Sequence, residues 1–427
     1  MAVPGYLQMN LASDTDFQKN SEIVAGKGAT GLIYSGRLKS PQLLTKHGDI
    51  AIAIKVFSSK FNRQAPPVEI KPYGLQPIPV GSRSAIMGKI DEEPWSTVNG
   101  SKGAGSKVGS TNAASTNPSS INPSFISSSN PTNPATSPAS TNYTNANIDA
   151  HADFLYEVAI MACIPPNPHV VSLIGYQENE PCAIVMPFYE LNLKTLIHHD
   201  SFYLGPAVTE KIAIEVAKGL SFIHGQGLLH LDVKPQNVLV DLHAGSDAGS
   251  GGRTFHCLVC DFGYSSRIVP DGDIIRDEVR GLRMPNYVGL TWRYAAPELY
   301  EAIKKGGRLN REKDKKIDVY AFAITLYEVV TGMPPWIEAS QTREIIASIK
   351  AGQRPNGHQK FLPEYEVNGD RAYLINLIDK CWAQDPDTRP SFDEIVGLVE
   401  KSRETRGIDI KDSIREGSEP RINLNPF

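Results

Sequence analysis

The chain has 427 residues, of which 41% are hydrophobic and 21% charged, and a net charge of −4. That length and composition leave room for two or three domains and a large buried core, and the slightly acidic balance gives no reason to expect nucleic acid or an anionic membrane as a partner. Five scattered cysteines, an odd number, point to reduced thiols and an intracellular, most naturally cytoplasmic, setting. Met1 to Asn20 lack the basic-then-apolar pattern of a secretory leader. Met1-Ala2 does not fit a myristoylation start, and Asn425-Pro426-Phe427 carries no cysteine for prenylation. The longest apolar run, Val319–Val330, is interrupted by Glu328 and too short to span a bilayer.

In chain order, Glu22 to Lys60 reads as strands and turns. Ile23-Val24 leads into a glycine cluster, Leu32-Ile33-Tyr34 follows, and Ile50–Phe57 is β-branched and apolar, the pattern of a buried strand. Residues 58–98 are rich in proline and turn formers, and residues 99–149 are mostly Ser, Thr, Asn, Gly, Ala and Pro. Such text buries too little apolar surface to offset its ordering entropy, so disorder is expected there. Phe154, Leu155, Val158, Ala159, Ala162 and Cys163 fall at helical spacing, and Pro165-Pro166 stops that helix. Strands are expected at Val170–Ile174 and Ala183–Met186. A glycine and serine loop, Ala244–Arg253, separates two short strands at Val238–Asp241 and Cys257–Cys260. Helices are expected at Thr209–Gln226, Asp318–Thr331, Thr342–Ala351, Ala372–Trp382 and Ser391–Ser402. The charged residues from 403 to 427 read as a tail.

The chemistry concentrates in His230-Leu231-Asp232-Val233-Lys234-Pro235-Gln236-Asn237 and, further on, Asp261-Phe262-Gly263. Two acids, a lysine and an asparagine at this spacing are what phosphoryl transfer needs. One acid sits by an incoming hydroxyl, the lysine sits near the moving phosphoryl group, and the asparagine and second acid hold a cation against phosphates. Upstream, Gly26-Lys27-Gly28-Ala29-Thr30-Gly31-Leu32-Ile33 is a loop whose backbone can close over phosphates without Cβ clashes. Alone it is a weak signal; directly before the strand bearing Lys55 it is a stronger one. An ammonium inside an otherwise apolar strand calls for a partner, and Glu157, an acid among apolar neighbours on the next helix, supplies one.

These motifs, with Ala296-Pro297-Glu298 in order after them, resemble the eukaryotic protein kinases. The wording of Asp318-Val319-Tyr320-Ala321-Phe322-Ala323, Gly332-Met333-Pro334-Pro335-Trp336 and Cys381-Trp382 to Phe392 is similar to the tyrosine-kinase-like group of Ser/Thr kinases. The resemblance covers residues 22–57 and 150–402. It implies an α+β, two-lobed fold: a small, mainly β N-lobe with one αC helix (22–189, holding the insert at 58–149) and a larger, mainly α C-lobe (190–402). A 1–21 extension and a 403–427 tail flank them.

For the site, the resemblance implies Asp232, Lys234, Lys55, Glu157 and Thr291 in the catalytic machinery. ATP would be bound by Gly26, Gly28, Gly31, Ile33, Ala53, Lys55, gatekeeper Met186, hinge residues Pro187, Phe188 and Tyr189, Leu239 and Cys260. Mg²⁺, or Mn²⁺, would sit on Asn237 and Asp261. It also implies that Asp318 anchors the catalytic loop and that Arg389 pairs with Glu298. Met161, Leu173, His230 and Phe262 would stack as a spine, which makes His230 a packing residue rather than a base. Pro187 has no N–H, so only its carbonyl can meet adenine.

Two departures stand out. Leu231 replaces the arginine that most relatives neutralise with an activation-segment phosphate, so activity is expected to depend little on a phosphate beside Asp232. Arg267, Arg276, Arg280 and Arg283 leave another phosphate site open. The insert lengthens a connection at a cost of only about 2 kcal/mol; it is either a tolerated spacer or, through Val68–Pro79, a grip for a partner. Cys257 and Cys260 have zinc or redox spacing without a second pair, and are expected to be ordinary strand thiols. The functional reading is an ATP-dependent Ser/Thr protein kinase acting on protein substrates. The alternatives are a pseudokinase scaffold and a small-molecule kinase of the aminoglycoside type, which shares the catalytic loop but lacks the remaining motifs.

Overall fold

The computed structural model describes residues 10–12, 15–27, 31–57, 150–179, 181–199, 204–244, 252–268, 291–305, 309, 311–355, 372–406 and 413–415. The chain divides into two units, Met1–Glu92 with Asp149–Phe427, and Glu93–Ile148. The second unit, the whole insert expected at 58–149, Gly28 and the arginines at 276, 280 and 283 lie outside the described residues.

The N-terminal part of the first unit is an antiparallel sheet of five strands: β1 (Phe17–Lys27), β2 (Leu32–Leu38), β3 (Ala51–Val56), β4 (Gly175–Gln177) and β5 (Ala183–Pro187), in the order β1-β2-β3-β5-β4. The apolar run anticipated at Ile50–Phe57 makes β3 central, with Ile52 to Val56 all buried. Its register sets Lys55 opposite Ile33 on β2 and Ile184 on β5. Gly31 opens β2 because a Cβ there would lie 2.3 Å from the Val56 carbonyl oxygen. The sheet starts earlier than the expected boundary at residue 22. Leu11 donates its N–H to the Tyr176 carbonyl at 2.6 Å, and Leu11 and Phe17 are buried with Ile52 and Val185. A short helix absent from the sequence expectation, α1 (Pro41–His47), lies between β2 and β3, so this lobe holds a helix besides α2 (Ala150–Ala162). α2 packs on the sheet through Phe154, whose ring is 5.5 Å from Phe57 and 6.2 Å from Tyr176.

The remainder is mainly helical: α3 (Leu193–His198), α4 (Pro206–Gly225), α5 (Pro297–Lys304), α6 (Lys315–Thr331), α7 (Thr342–Lys350), α8 (Ala372–Cys381) and α9 (Phe392–Arg406). α6 is the axis of this lobe. It is apolar on all sides and every residue from Ile317 to Val330 is buried, the mark of a helix enclosed by others. It stops at Gly332, whose φ of 67° suits a residue without Cβ and whose N–H caps the Glu328 carbonyl. Asn192 caps α3 by accepting from the Thr195 N–H at 2.9 Å.

Two smaller sheets complete the lobe. β6 (Leu191–Asn192) pairs with β8 (Val238–Ala244), which forms a hairpin with β9 (Gly252–Val259). β7 (Leu228–Leu229) pairs with β10 (Ser266–Arg267). Part of the expected tail is β11 (Ser413–Arg415), antiparallel to β9, and α9 runs past the expected end of the lobe at 402. The strand expected at Val170–Ile174 does not form. Val171 donates to the Val259 carbonyl and Ile174 to the Val185 carbonyl, so its backbone serves two different neighbours and builds no ladder.

Candidate active site

The loop between β7 and β8 is held from below by one buried acid. Asp318, on the first turn of α6, accepts the N–H of His230 at 2.8 Å, the N–H of Leu231 at 2.7 Å and a bond from the His224 ring at 2.8 Å. Burial opposes its charge, but the His224 contact and the converging donors outweigh this and hold its carboxyl below the ordinary range. Those bonds fix Leu231 at a φ of 65°, a region that costs a branched residue roughly 1–2 kcal/mol. The Leu231 side chain is buried, so the place where the resemblance expects a cation is apolar. The His230 ring is also fixed. Nε2 lies 3.0 Å from the Cys260 carbonyl and so donates, while Nδ1 accepts the Asp232 N–H at 3.3 Å. With both nitrogens engaged and its ring 5.5 Å from Phe262, His230 is scaffolding.

Asp232 and Lys234 then meet. The Lys234 Nζ is 2.8 Å from Asp232 Oδ2 and donates to Thr291 Oγ1 at 2.8 Å. Asn237 gives its NH₂ to the carbonyl oxygen of Asp232 at 2.8 Å and to its Oδ2 at 2.9 Å. Burial raises the Asp232 carboxyl, offset in part by Lys234. A carboxylate so placed can accept or orient the proton of a hydroxyl beside it.

Above this loop Lys55 bridges two acids. Its Nζ is 2.7 Å from both Glu157 oxygens and 2.8 Å from Asp261 Oδ1, although the partners lie 102 and 206 positions away in the chain. Lys55 and Glu157 are almost fully buried. Burial opposes the ammonium, but Asp261 first and Glu157 second hold it charged. For Asp261, burial is likewise outweighed by Lys55, which holds the carboxyl down at about 2. Glu157 has the weaker claim: burial pushes it up to about 7 despite Lys55.

A cation fits here on the chemistry of the donors. Asp261 is ionised, and Asn237, with its NH₂ committed to Asp232, is left with its amide oxygen as the ligating atom. Two hard oxygens suit a small divalent ion. The residues expected around adenine belong to one apolar cluster: Ala53, Met186 and Cys260 are buried in it, with Ile33, Phe188, Tyr189 and Leu239 against it. Register sets Ala53 opposite Met186 and Ile52 opposite Pro187, and the Phe188 N–H is taken by the Ala51 carbonyl at 3.0 Å. Of the loop glycines, Gly26 lies in β1 and Gly31 opens β2, where its missing Cβ answers first to Val56 rather than to a ligand.

Supporting contacts surround the site. Glu298 takes two bonds from Arg389, at 2.5 and 3.1 Å. Met161 and Phe262 are buried in the main cluster and Leu173 packs against it. The five cysteines are free thiols, and burial raises those of Cys257 and Cys260 well above the ordinary value.

Some residues escaped the sequence reading. Glu328, read only as a break in an apolar run, is fully buried; it accepts the Tyr294 hydroxyl at 2.6 Å and meets the His198 ring at 2.7 Å, tying α3 and the Thr291 segment to α6. An acid interrupting a long apolar run was the available signal. Ser265 and Ser266, which follow Asp261-Phe262-Gly263, are also buried.

A family model described as "Protein kinase domain" matches residues 140–398. Lys55 and the glycine loop precede that match, so their part in the site rests on the geometry above. The chain is 28% identical over 256 residues to "Serine/threonine-protein kinase VIK" of Arabidopsis thaliana, covering 59% of this chain and 51% of that one. It is 28% identical over 282 residues to "Receptor-interacting serine/threonine-protein kinase 1" of Homo sapiens, covering 65% and 38%. It is 29% identical over 233 residues to "Serine/threonine-protein kinase mos" of Patiria pectinifera, covering 54% and 58%. The chain thus spans between 38% and 58% of the lengths of these three.

Proposed function

Because the chain belongs to the protein kinase domain family, we propose that it transfers the γ-phosphoryl group of ATP to a serine or threonine hydroxyl of a protein. The observation that carries this reading is the pair of buried ionic groups facing each other, Glu157–Lys55–Asp261 above and Asp232–Lys234–Thr291 below. Lys55 would hold the α- and β-phosphates while Glu157 keeps it in place. Asp232 would take the proton of the acceptor hydroxyl, and Lys234 would neutralise charge on the moving group. Asn237 and Asp261 would hold Mg²⁺, which supplies charge neutralisation on the phosphates when bound. Ala53, Met186 and the Pro187–Tyr189 backbone would receive adenine. The names of the three relatives support a Ser/Thr acceptor.

Among the described residues no helix is long and apolar enough to cross a membrane. With five free thiols, a cytoplasmic site of action is part of this proposal. So is a protein partner for the proline-rich part of the insert.

The test is radiolabelled ATP with Mg²⁺ and generic protein substrates. Wild type is expected to incorporate label at roughly 10³-fold or more over Asp232→Asn. Buried Leu231 offers a phosphate no positive charge, so phosphatase treatment beforehand should change the wild-type rate little, and a large loss would point to the other arginines. Equal labelling by wild type and variant would sink the kinase reading and favour a scaffold.

A further inference from the structure

We propose that Tyr156 and Ser265 are positioning residues that join the Glu157 helix to the catalytic loop, so that the Lys55 contact and the Asp232 loop form as one unit. Successive residues on a helix point about 100° apart, so neighbours 156 and 157 on α2 serve different partners. Glu157 reaches Lys55. The Tyr156 hydroxyl donates to the Ser265 carbonyl at 2.6 Å.

Ser265 is itself held on three sides. Its N–H donates to the Phe262 carbonyl at 3.0 Å, its hydroxyl donates to the His230 carbonyl at 3.3 Å, and its carbonyl accepts from Tyr156. It has no exposed surface. Just beyond it, Ser266 pairs with Leu229 and the Ile268 N–H donates to the Gly227 carbonyl at 2.7 Å, extending the tie into β7, where the catalytic loop begins. One residue therefore links α2, the segment bearing Asp261 and the backbone of His230, all by uncharged bonds. A movement of α2 that draws Glu157 from Lys55 also draws Tyr156 from Ser265. In a loop whose residue 231 is a buried leucine, this neutral node takes the part that a charged clamp would otherwise play.

The catalytic readout rests on the kinase reading; the exchange readout does not. In the full chain, Tyr156→Phe removes only the hydroxyl. It is expected to lower kcat by about 3- to 10-fold, the worth of one such bond, with KM for ATP changed by no more than about twofold. Ser265→Ala removes the bond to His230 and leaves the carbonyl to Tyr156. Its effect with Tyr156→Phe is expected to be less than the product of the two. Amide exchange across residues 261–268 should quicken several-fold in Tyr156→Phe, with the melting midpoint shifted by no more than about 3 °C, which separates positioning from loss of fold. Unchanged exchange across 261–268 would overturn the inference. So would a kcat within twofold of an active wild type. If wild type transfers no phosphate, the kinase reading falls while exchange alone decides this one.

Discussion

The two halves of the site are held by different means. Below, the Asp232 loop hangs on Asp318, a buried acid on the enclosed helix α6, through the backbone N–H groups of His230 and Leu231. Above, Lys55 and Glu157 come from a small sheet and a single helix and are joined only by side-chain atoms. A backbone tethered to a packed core has one place to be. An ion pair between two movable elements has at least two. The lower half therefore looks built in advance and the upper half conditional, which puts any control of activity on α2.

Three expected outcomes test that contrast, the largest first. Asp318→Ala leaves the donors of His224, His230 and Leu231 without their acceptor. The expected cost is roughly 3–5 kcal/mol of stability, read from denaturant midpoints. A loss under about 1 kcal/mol would mean that packing alone holds the loop.

Glu157→Gln should behave in the opposite way. Lys55 keeps Asp261 at 2.8 Å, so stability should fall by only about 1 kcal/mol, while kcat/KM for ATP drops about 100-fold. The pH profile refines this. Glu157 sits at about 7 against an ordinary 4.5, so it is protonated below that value and ionised above it. Wild-type kcat/KM should therefore rise with pH through about 7. The contribution of this carboxyl to stability runs the other way, lost as pH climbs from 4.5 to about 7, because the folded state binds the extra proton. Glu157→Gln should erase the acid limb; a variant that kept it would assign the limb to another group.

The smallest effects compare two glycines. Gly31→Ala places a Cβ 2.3 Å from the Val56 carbonyl, and is expected to cost about 1–3 kcal/mol and to raise KM for ATP a few-fold. Gly332→Ala meets open space and carries only the strain of its positive φ, about 1 kcal/mol, with kcat unchanged. Equal effects of the two on KM would mean that the close approach of Gly31 to Val56 does not bear on ATP binding.

Much of this arrangement was legible beforehand. Five helices from Thr209 onward were anticipated within a few residues of their ends, because their apolar spacing is regular, whereas α5 at Pro297–Lys304 was not anticipated. What failed has a common cause. The Val170–Ile174 run has the composition of a strand, but its N–H groups go to two partners. Ser413–Arg415 lies in charged text, yet pairs with β9 through backbone atoms, to which composition is blind. Ser265 went unnoticed as a node because two of its three bonds use its own main chain.

The sequence alone determined which groups are present and in what order: the acids, lysines and asparagine of phosphoryl transfer, the leucine at 231, and the apolar periods that build both lobes. Only the tertiary structure decided the state of those groups. Asp261 at about 2 and Glu157 at about 7 are the same kind of acid, meeting the same lysine. They differ because charge in a protein answers to burial and to distances of a few ångströms, and neither is written along the chain.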